Sequence, residues 1–328
     1  MIRAALAGYG WWGRHMALRL EAHERFEVAG IYAPELEKDT VIDGHRVFGS
    51  YEALLEHAGA DAVVLTSPND LHEPQAIAAA AASLHVFCEK PLSLSGASAR
   101  RIVEAVSGAG RVLAVGHERR FEPAMQKVAS MVRSGTLGTI MHAEAAFSHD
   151  KLAELPADNW RTKSKLAPGA AMTGMGIHLT DFFIWMFGPV EAVQAITADR
   201  ALGWETGDVV SVQLRFRAGM TATLSAILKT PHFIRFHVFG SDEWTEVRND
   251  THPDTPGGVA HLALSRSGKA TTTETYPWTD TVMDNLSAFA DAIEGRSAYP
   301  FTEQQLVHNI QLLEAIVASA VSGETVRL

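Results

Sequence analysis

The segment Ile2-Arg3-Ala4-Ala5-Leu6-Ala7-Gly8-Tyr9-Gly10-Trp11-Trp12-Gly13 decides the fold. A short apolar strand runs directly into G-x-G-x-x-G, and an amphipathic stretch over Gly13–Ala22 follows. In that setting the first glycine permits a tight turn, the second lets a pyrophosphate approach the backbone, and the third lets helix pack on strand. The helix start then offers unpaired N–H groups and a positive dipole end to phosphates. Gly8, Gly10, Trp11, Trp12 and Gly13 are therefore the candidate dinucleotide cradle. The plainer alternative, a structural turn, is opposed by the strand before it and the helix after it.

Outward from this turn, apolar runs at Glu27–Tyr32, Ala62–Thr66, Leu84–Cys88 and Val112–Gly116 alternate with helical stretches at Tyr51–His57, His72–Ala82 and Ser95–Ser107. Strands that are apolar throughout, separated by helices, form a parallel doubly wound sheet covered on both faces. The rhythm changes after residue 121. Helices are predicted at Pro123–Arg133 and from Ala171 to Gly188, followed by strands at Val190–Ala198, Val209–Arg217, Thr221–Leu228, Ile234–Gly240 and Trp244–Arg248. Their period-2 patterning indicates an antiparallel sheet with one covered face. Two helices, Val282–Glu294 and Thr302–Val321, close the chain. The expected fold is α/β: a Rossmann doubly wound domain over residues 1–121, then an α+β domain over 122–328 with a large, mostly antiparallel open sheet.

Composition narrows the function. With 38 acidic and 28 basic residues the net charge is −10, which disfavours nucleic acid and anionic membrane as partners. No apolar run has the length of a membrane helix, and the opening residues lack the apolar core of a signal peptide. Cys88 is the single cysteine, so no intrachain disulfide can form, and a reducing, cytoplasmic location is expected. The 15 histidines show no metal-binding spacing, so no metal is implied.

The adenosine ribose in such folds is held by an acidic residue about 20 positions beyond the glycines. Counting from Gly13 reaches Ala33, which has no carboxylate. Glu35 lies beyond Pro34, and Arg14 and Lys38 are the nearest cations. NAD and NADP both stay open as cofactors.

Two strand ends carry further chemistry: Thr66-Ser67-Pro68-Asn69-Asp70-Leu71-His72 and His85-Val86-Phe87-Cys88-Glu89-Lys90-Pro91. Ligands of doubly wound sheets bind beyond the carboxyl ends of the strands, where Asn69 and Lys90 fall. Pro91 biases Lys90 towards an extended backbone. A desolvated lysine near other cations exchanges a proton near neutral pH. A surface ion pair of Lys90 with Glu89 is the bland alternative.

With these motifs the chain resembles the glucose–fructose oxidoreductase/inositol dehydrogenase family, Gfo/Idh/MocA. The resemblance covers nearly the whole chain and rests on the glycine turn, Ser67-Pro68-Asn69 with His72, Glu89-Lys90-Pro91, Gly116-His117-Glu118-Arg119-Arg120-Phe121, Trp160-Arg161 and Gly176-Ile177-His178-Leu179-Thr180-Asp181. It implies that Lys90 is the catalytic acid/base and His178 a proton relay, and that Asp181, Arg120, Trp160 and Arg161 face substrate. Ser67, Pro68, Asn69, His72 and Glu89 join the cofactor cradle, with Ala33 at the ribose. In one respect the chain departs from inositol dehydrogenase-like members: the Asp four residues before the histidine is Gly174 here. Either Asp181, one helical turn beyond His178, or a substrate group is expected to serve the imidazole instead, or the chemistry is weaker or different. The implied activity is NAD(P)-dependent hydride transfer to or from a secondary alcohol of a sugar, sugar acid or cyclitol, by a homodimer or homotetramer formed through the C-terminal sheet. A non-catalytic dinucleotide- and sugar-binding regulator and an NAD-retaining glycoside hydrolase are the alternatives.

Overall fold

The computed structural model describes residues 1–328. Its first sheet is built from β1 (Ile2–Ala7), β2 (Phe26–Tyr32), β5 (Ala62–Leu65), β6 (His85–Cys88) and β7 (Leu113–Val115), all parallel, in the order β2-β1-β5-β6-β7. Between them run α1 (Trp11–Ala22), a small hairpin of β3 (Val41–Ile42) and β4 (His45–Arg46), α2 (Tyr51–His57), α3 (His72–Ala81) and α4 (Gly96–Gly108). The order reverses at β1, whose two neighbours are β2 and β5, so the glycine turn leaves the sheet at its topological switch point.

The second sheet has nine strands in the order β15-β14-β13-β12-β8-β11-β10-β9-β16. Its members are β8 (Ile140–Ser148), β9 (Val190–Ala198), β10 (Val209–Phe216), β11 (Thr221–Ile227), β12 (Phe233–Gly240), β13 (Glu243–Asn249), β14 (Val259–Arg266), β15 (Thr272–Pro277) and β16 (Val326–Arg327). Only the β8–β11 pairing is parallel. Helix α5 (Pro123–Ser134) ends at Gly135 in the left-handed conformation, a glycine stop. Helix α6 (Ile177–Phe187) is buried along nearly its whole length, and α7 (Thr281–Ile293) and α8 (Glu303–Ser322) follow the sheet strands in sequence. No helix is long and apolar enough to cross a membrane.

The contacts group Met1–Glu118 with Val282–Ile310, and Arg119–Thr281 with Gln311–Leu328. This differs from the division at 121/122 expected from sequence, because a long C-terminal segment belongs to the first unit. The reason is apolar. Val282, Leu286, Phe289 and Ala290 of α7 join the core formed by Ile2, Leu6, Phe26, Val64, Phe87 and Ala114 on one face of the parallel sheet. The Phe289 ring lies 6.3 Å from Phe26 and 5.7 Å from Phe87. A parallel sheet needs both faces covered, and α7 supplies part of that cover. Phe289→Ala should therefore destabilise the first unit by about 3–5 kcal/mol, visible as an earlier transition in urea with an intact second one.

Candidate active site

The glycine turn has no room for side chains where the dinucleotide reading requires none. A Cβ on Gly8, at φ +95°, would stand 2.7 Å from the backbone of Thr66 and Ser67, and one on Gly13 would stand 2.3 Å from the Gly8 carbonyl oxygen. Around Gly10 there is open space instead. No side chain caps α1, and its first turn holds no acidic residue. Its amide groups and dipole are thus left for a diphosphate, so these residues fit a dinucleotide.

The β5 and β6 ends are tied together by one imidazole. His72, 1 % exposed, sets Nδ1 2.8 Å from the Pro91 carbonyl oxygen and Nε2 3.0 Å from the Ser67 carbonyl oxygen. Burial lowers its pKa against the pull of these carbonyls. Expected as a cofactor contact, His72 has both nitrogens engaged by the chain itself and acts by holding the loop. Ser67 likewise donates its hydroxyl to Gln75 at 2.5 Å, and Asn69 is buried. Glu89 is 7 % exposed, accepts the Lys90 amide at 3.2 Å and lies against Gly116, where a Cβ would meet its carboxylate at 2.5 Å. Lys90 follows, half-buried, at the carboxyl end of β6, and its bond to Pro91 is cis. Ala33 is buried just past β2 and offers no polar side chain.

In the second unit, His178 is the second residue of α6. A π-type turn over Met172–Gly176 leads into it, with the Gly176 amide bonded to the Ala171 carbonyl five residues back. Such turns widen a helix start and recur at functional sites. A Cβ on Gly176 would meet the flexible Met172 side chain, which would have to shift, whereas a Cβ on Gly174 would touch only Leu152, at 3.6 Å.

Asp181 does not support His178. Its two carboxylate oxygens accept from Arg120, Oδ2 from Nε at 2.7 Å and Oδ1 from Nη2 at 2.6 Å, with both side chains 3 % exposed. Arg120 also lies over the Trp185 ring. These two residues, expected against substrate, form a buried ion pair between the turn Glu118–Phe121 and α6. Trp160 and Arg161 are half-buried, with the guanidinium 4.2 Å above the indole, as a sugar-facing wall would be.

Phe147, near the end of β8, is the hub of a group that sequence reasoning missed. Its ring lies 6.0 Å from His178, 5.6 Å from His149 and 5.5 Å from His252, and the Arg119 guanidinium stands 4.5 Å above it. Arg119 is held by Glu122 at 2.5 Å. His252 pairs with Asp254 at 3.2 Å, and His232 lies 6.3 Å from His252. Burial, assisted by His252, Lys151 and His232, pushes the His149 pKa down to about 3. Burial opposes the charge on Asp254, yet His252, Lys151 and Arg119 outweigh it and hold that carboxyl at about 2. His149 Nδ1 accepts the Lys151 amide at 3.2 Å, so the neutral ring carries its proton on Nε2 as a donor. No cluster of His, Cys, Asp and Glu is arranged to hold a metal ion. The residues come from Arg119, Phe147–Lys151, His178, His232 and the loop 249–258, separations that no motif spacing reveals.

The profile described as "Oxidoreductase family, NAD-binding Rossmann fold" matches residues 2–117, and the GFO/IDH/MocA C-terminal domain matches residues 125–246. The chain belongs to the Gfo/Idh/MocA family. It is 32 % identical over 284 residues to D-xylose 1-dehydrogenase (NADP(+)) 2 of Haloferax volcanii, covering 86 % of this chain and 84 % of that one. It is 34 % identical over 196 residues to myo-inositol 2-dehydrogenase of Thermotoga maritima, 57 % and 56 % of the two chains. Among solved structures, the WlbA dehydrogenase of Bordetella pertussis with NADH and UDP-GlcNAcA superposes with a TM-score of 0.83 at 26 % identity, over 100 % of this chain and 98 % of that one. This Gfo/Idh/MocA chain is thus an NAD(P)-dependent oxidoreductase.

Two outcomes are expected. Asp181→Asn leaves Arg120 buried without its counter-charge and should cost about 3–5 kcal/mol of stability, measured by urea unfolding, whereas a substrate ligand would raise KM alone. His149 in the unfolded chain binds a proton below about 6.5 that the folded chain refuses until about 3, so stability falls as pH drops through that window. His149→Gln should reduce the stability lost between about pH 7 and pH 5 by about 1–2 kcal/mol, read from urea midpoints at both values.

Proposed function

We propose that the protein oxidises or reduces a secondary alcohol of a sugar, sugar acid or cyclitol, with Lys90 as general acid/base and His178 as proton relay. The observation that carries this reading is Lys90 at the carboxyl end of β6, half-buried, on a backbone held by His72 and Glu89. The activities named for the relatives, on D-xylose and myo-inositol, support the substrate class. Trp160 with Arg161 and the neutral His149 donor suit a neutral, hydroxyl-rich ligand: an aromatic ring offers a face to C–H groups, and an uncharged N–H donates to an oxygen.

The nicotinamide supplies the redox chemistry when bound, exchanging a hydride with the carbinol carbon. This chain's residues do the rest. The glycine turn and the open start of α1 hold the diphosphate. In oxidation the neutral Lys90 amine accepts the hydroxyl proton as carbonyl character develops, and in reduction the Lys90 ammonium returns a proton to the substrate oxygen. His178 serves as proton relay, and the Arg120–Asp181 pair keeps the turn before α5 in register with α6. Gly174 leaves space where inositol dehydrogenase-like members have a carboxylate, which suits a bulkier substrate.

The open face of the nine-stranded sheet is proposed as a contact between copies of this chain, and a reducing cytoplasm as the location. On that face Arg235 bonds Glu144, and His237 stacks on Phe239 at 3.8 Å. The exposed Ile196 and Phe233 add apolar surface to this polar face.

A panel of pentoses, hexoses, uronic acids and cyclitols, followed by nicotinamide absorbance with each cofactor, identifies the substrate. On that substrate Lys90→Ala should lower turnover about 10²- to 10⁴-fold and leave dinucleotide affinity within about threefold. Near-normal turnover in this variant would remove Lys90 from the chemistry.

A further inference from the structure

The absence of a carboxylate at Ala33 leaves the ribose of the dinucleotide without its usual partner at the end of β2. The β3–β4 hairpin changes that picture. Asp43 and Gly44 join the two strands with φ of +52° and +86°, the left-handed pair that a two-residue hairpin turn requires. The hairpin is anchored to the β2 edge: Val47 bridges Ile31, and the Phe48 amide donates to the Ile31 carbonyl at 2.9 Å. His45 pairs with Glu21 of α1 at 3.1 Å, and the Tyr9–His45 ring centroids are 6.4 Å apart. Asp43 is thereby carried to the first turn of α1.

There it meets the glycine turn itself. Asp43 Oδ2 accepts from Arg14 Nη1 at 2.5 Å and from the Tyr9 hydroxyl at 3.0 Å, while the Arg14 guanidinium sits 4.6 Å above the Tyr9 ring. Tyr9 lies between Gly8 and Gly10, and the Gly8 amide donates to the Tyr32 carbonyl at 2.7 Å, so this cluster stands where the turn abuts the end of β2. Burial, the hydrogen bond to Asp43 and its charge push the Tyr9 pKa up to about 12, which keeps the phenol a donor. Asp43 Oδ1 takes no hydrogen bond. Arg14 and Asp43 are about half exposed, at 49 % and 54 %, within reach of a ligand. Lys38, the other nearby cation, lays its aliphatic chain over Gly49.

We propose that Asp43 and Arg14 together read the 2′ position of the adenosine ribose. Asp43 Oδ1 accepts from the 2′-hydroxyl of NAD, and its charge repels a 2′-phosphate. Arg14 is the cation such a phosphate would capture, but Asp43 holds and neutralises it. The acidic reader is therefore supplied by a hairpin ten residues beyond its usual place, and the preference is for NAD, moderated by Arg14. This rests on the dinucleotide-binding reading above, so the test measures binding and needs no substrate.

The experiment titrates NAD and NADP into wild type, Asp43→Asn and Arg14→Ala at one ionic strength, following tryptophan fluorescence. Asn-Gly favours the same turn, so Asp43→Asn removes charge and keeps the hairpin. Wild type should bind NAD more tightly. Asp43→Asn should move the NADP-to-NAD affinity ratio at least about tenfold towards NADP, the size of one charge-assisted contact. Arg14→Ala should weaken NADP at least about tenfold and leave NAD within about threefold. A ratio unchanged in Asp43→Asn, an equal loss of both cofactors in Arg14→Ala, or a wild-type preference for NADP would overturn the assignment. Failure of wild type to bind either cofactor would overturn the dinucleotide reading along with it.

Discussion

The first unit is organised by a steric limit: at Gly8 and Gly13 backbone meets backbone with no space for a Cβ. Because these contacts are to Thr66, Ser67 and the turn itself, they fix β1, β5 and the start of α1 in one arrangement. The loop after β5 then begins where the turn ends. Its Ser67 carbonyl meets His72, and the same imidazole meets the Pro91 carbonyl, so the segment carrying Lys90 is located by the neighbouring strand end. Tight backbone packing at one point thus positions polar groups two strands away.

The second unit depends on charge rather than on glycine. Burying Arg120 and Asp181 removes two ions from water, a loss that their mutual attraction repays only with good geometry. The bidentate arrangement provides that geometry, and the Trp185 face covers the guanidinium. Such a pair adds little to stability over an apolar isostere, but it accepts only one register between the turn 118–121 and α6. Register is what His178, three residues before Asp181, requires.

Much of this architecture is legible in sequence, for identifiable reasons. The five parallel strands are short, fully apolar and separated by helices, and the glycine turn has a rigid steric rationale. The central strand of the large sheet, β8, was not predicted, because Ile140–Ser148 mixes alanines with His142 and Glu144 and shows no run of large apolar residues. It is flanked by β11 and β12, and its alanines fill narrow space beneath neighbouring elements. Strands β14 and β15 were also missed; β15 reads Thr-Thr-Glu-Thr-Tyr-Pro, an exposed edge with no apolar face to signal it. The Asp43-Gly44 hairpin was missed as well: Asp-Gly is a turn signal, but each of its strands has only two residues and shows no apolar alternation. Arg120 and Asp181 were picked out as chemically important, but residues 61 apart give no sign in sequence that they neutralise each other.

That last point separates charges that build from charges that act. Arg120, Asp181 and His72 are buried with hydrogen bonds that run to other parts of the chain, so they hold other residues in place. Lys90, Arg14 and Asp43 keep access to solvent, and Asp43 retains an unused oxygen. His149 belongs to a third kind: it is buried, yet held neutral, so its remaining N–H donates without the cost of bringing an ion out of water. A site that must accept an uncharged polyol gains from such a donor, because a permanent charge would pull water in and compete for the same hydroxyls. Burial comes first in keeping His149 and His252 neutral, and at His149 the neighbouring His252 and Lys151 add to it, so an uncharged N–H donor is held there.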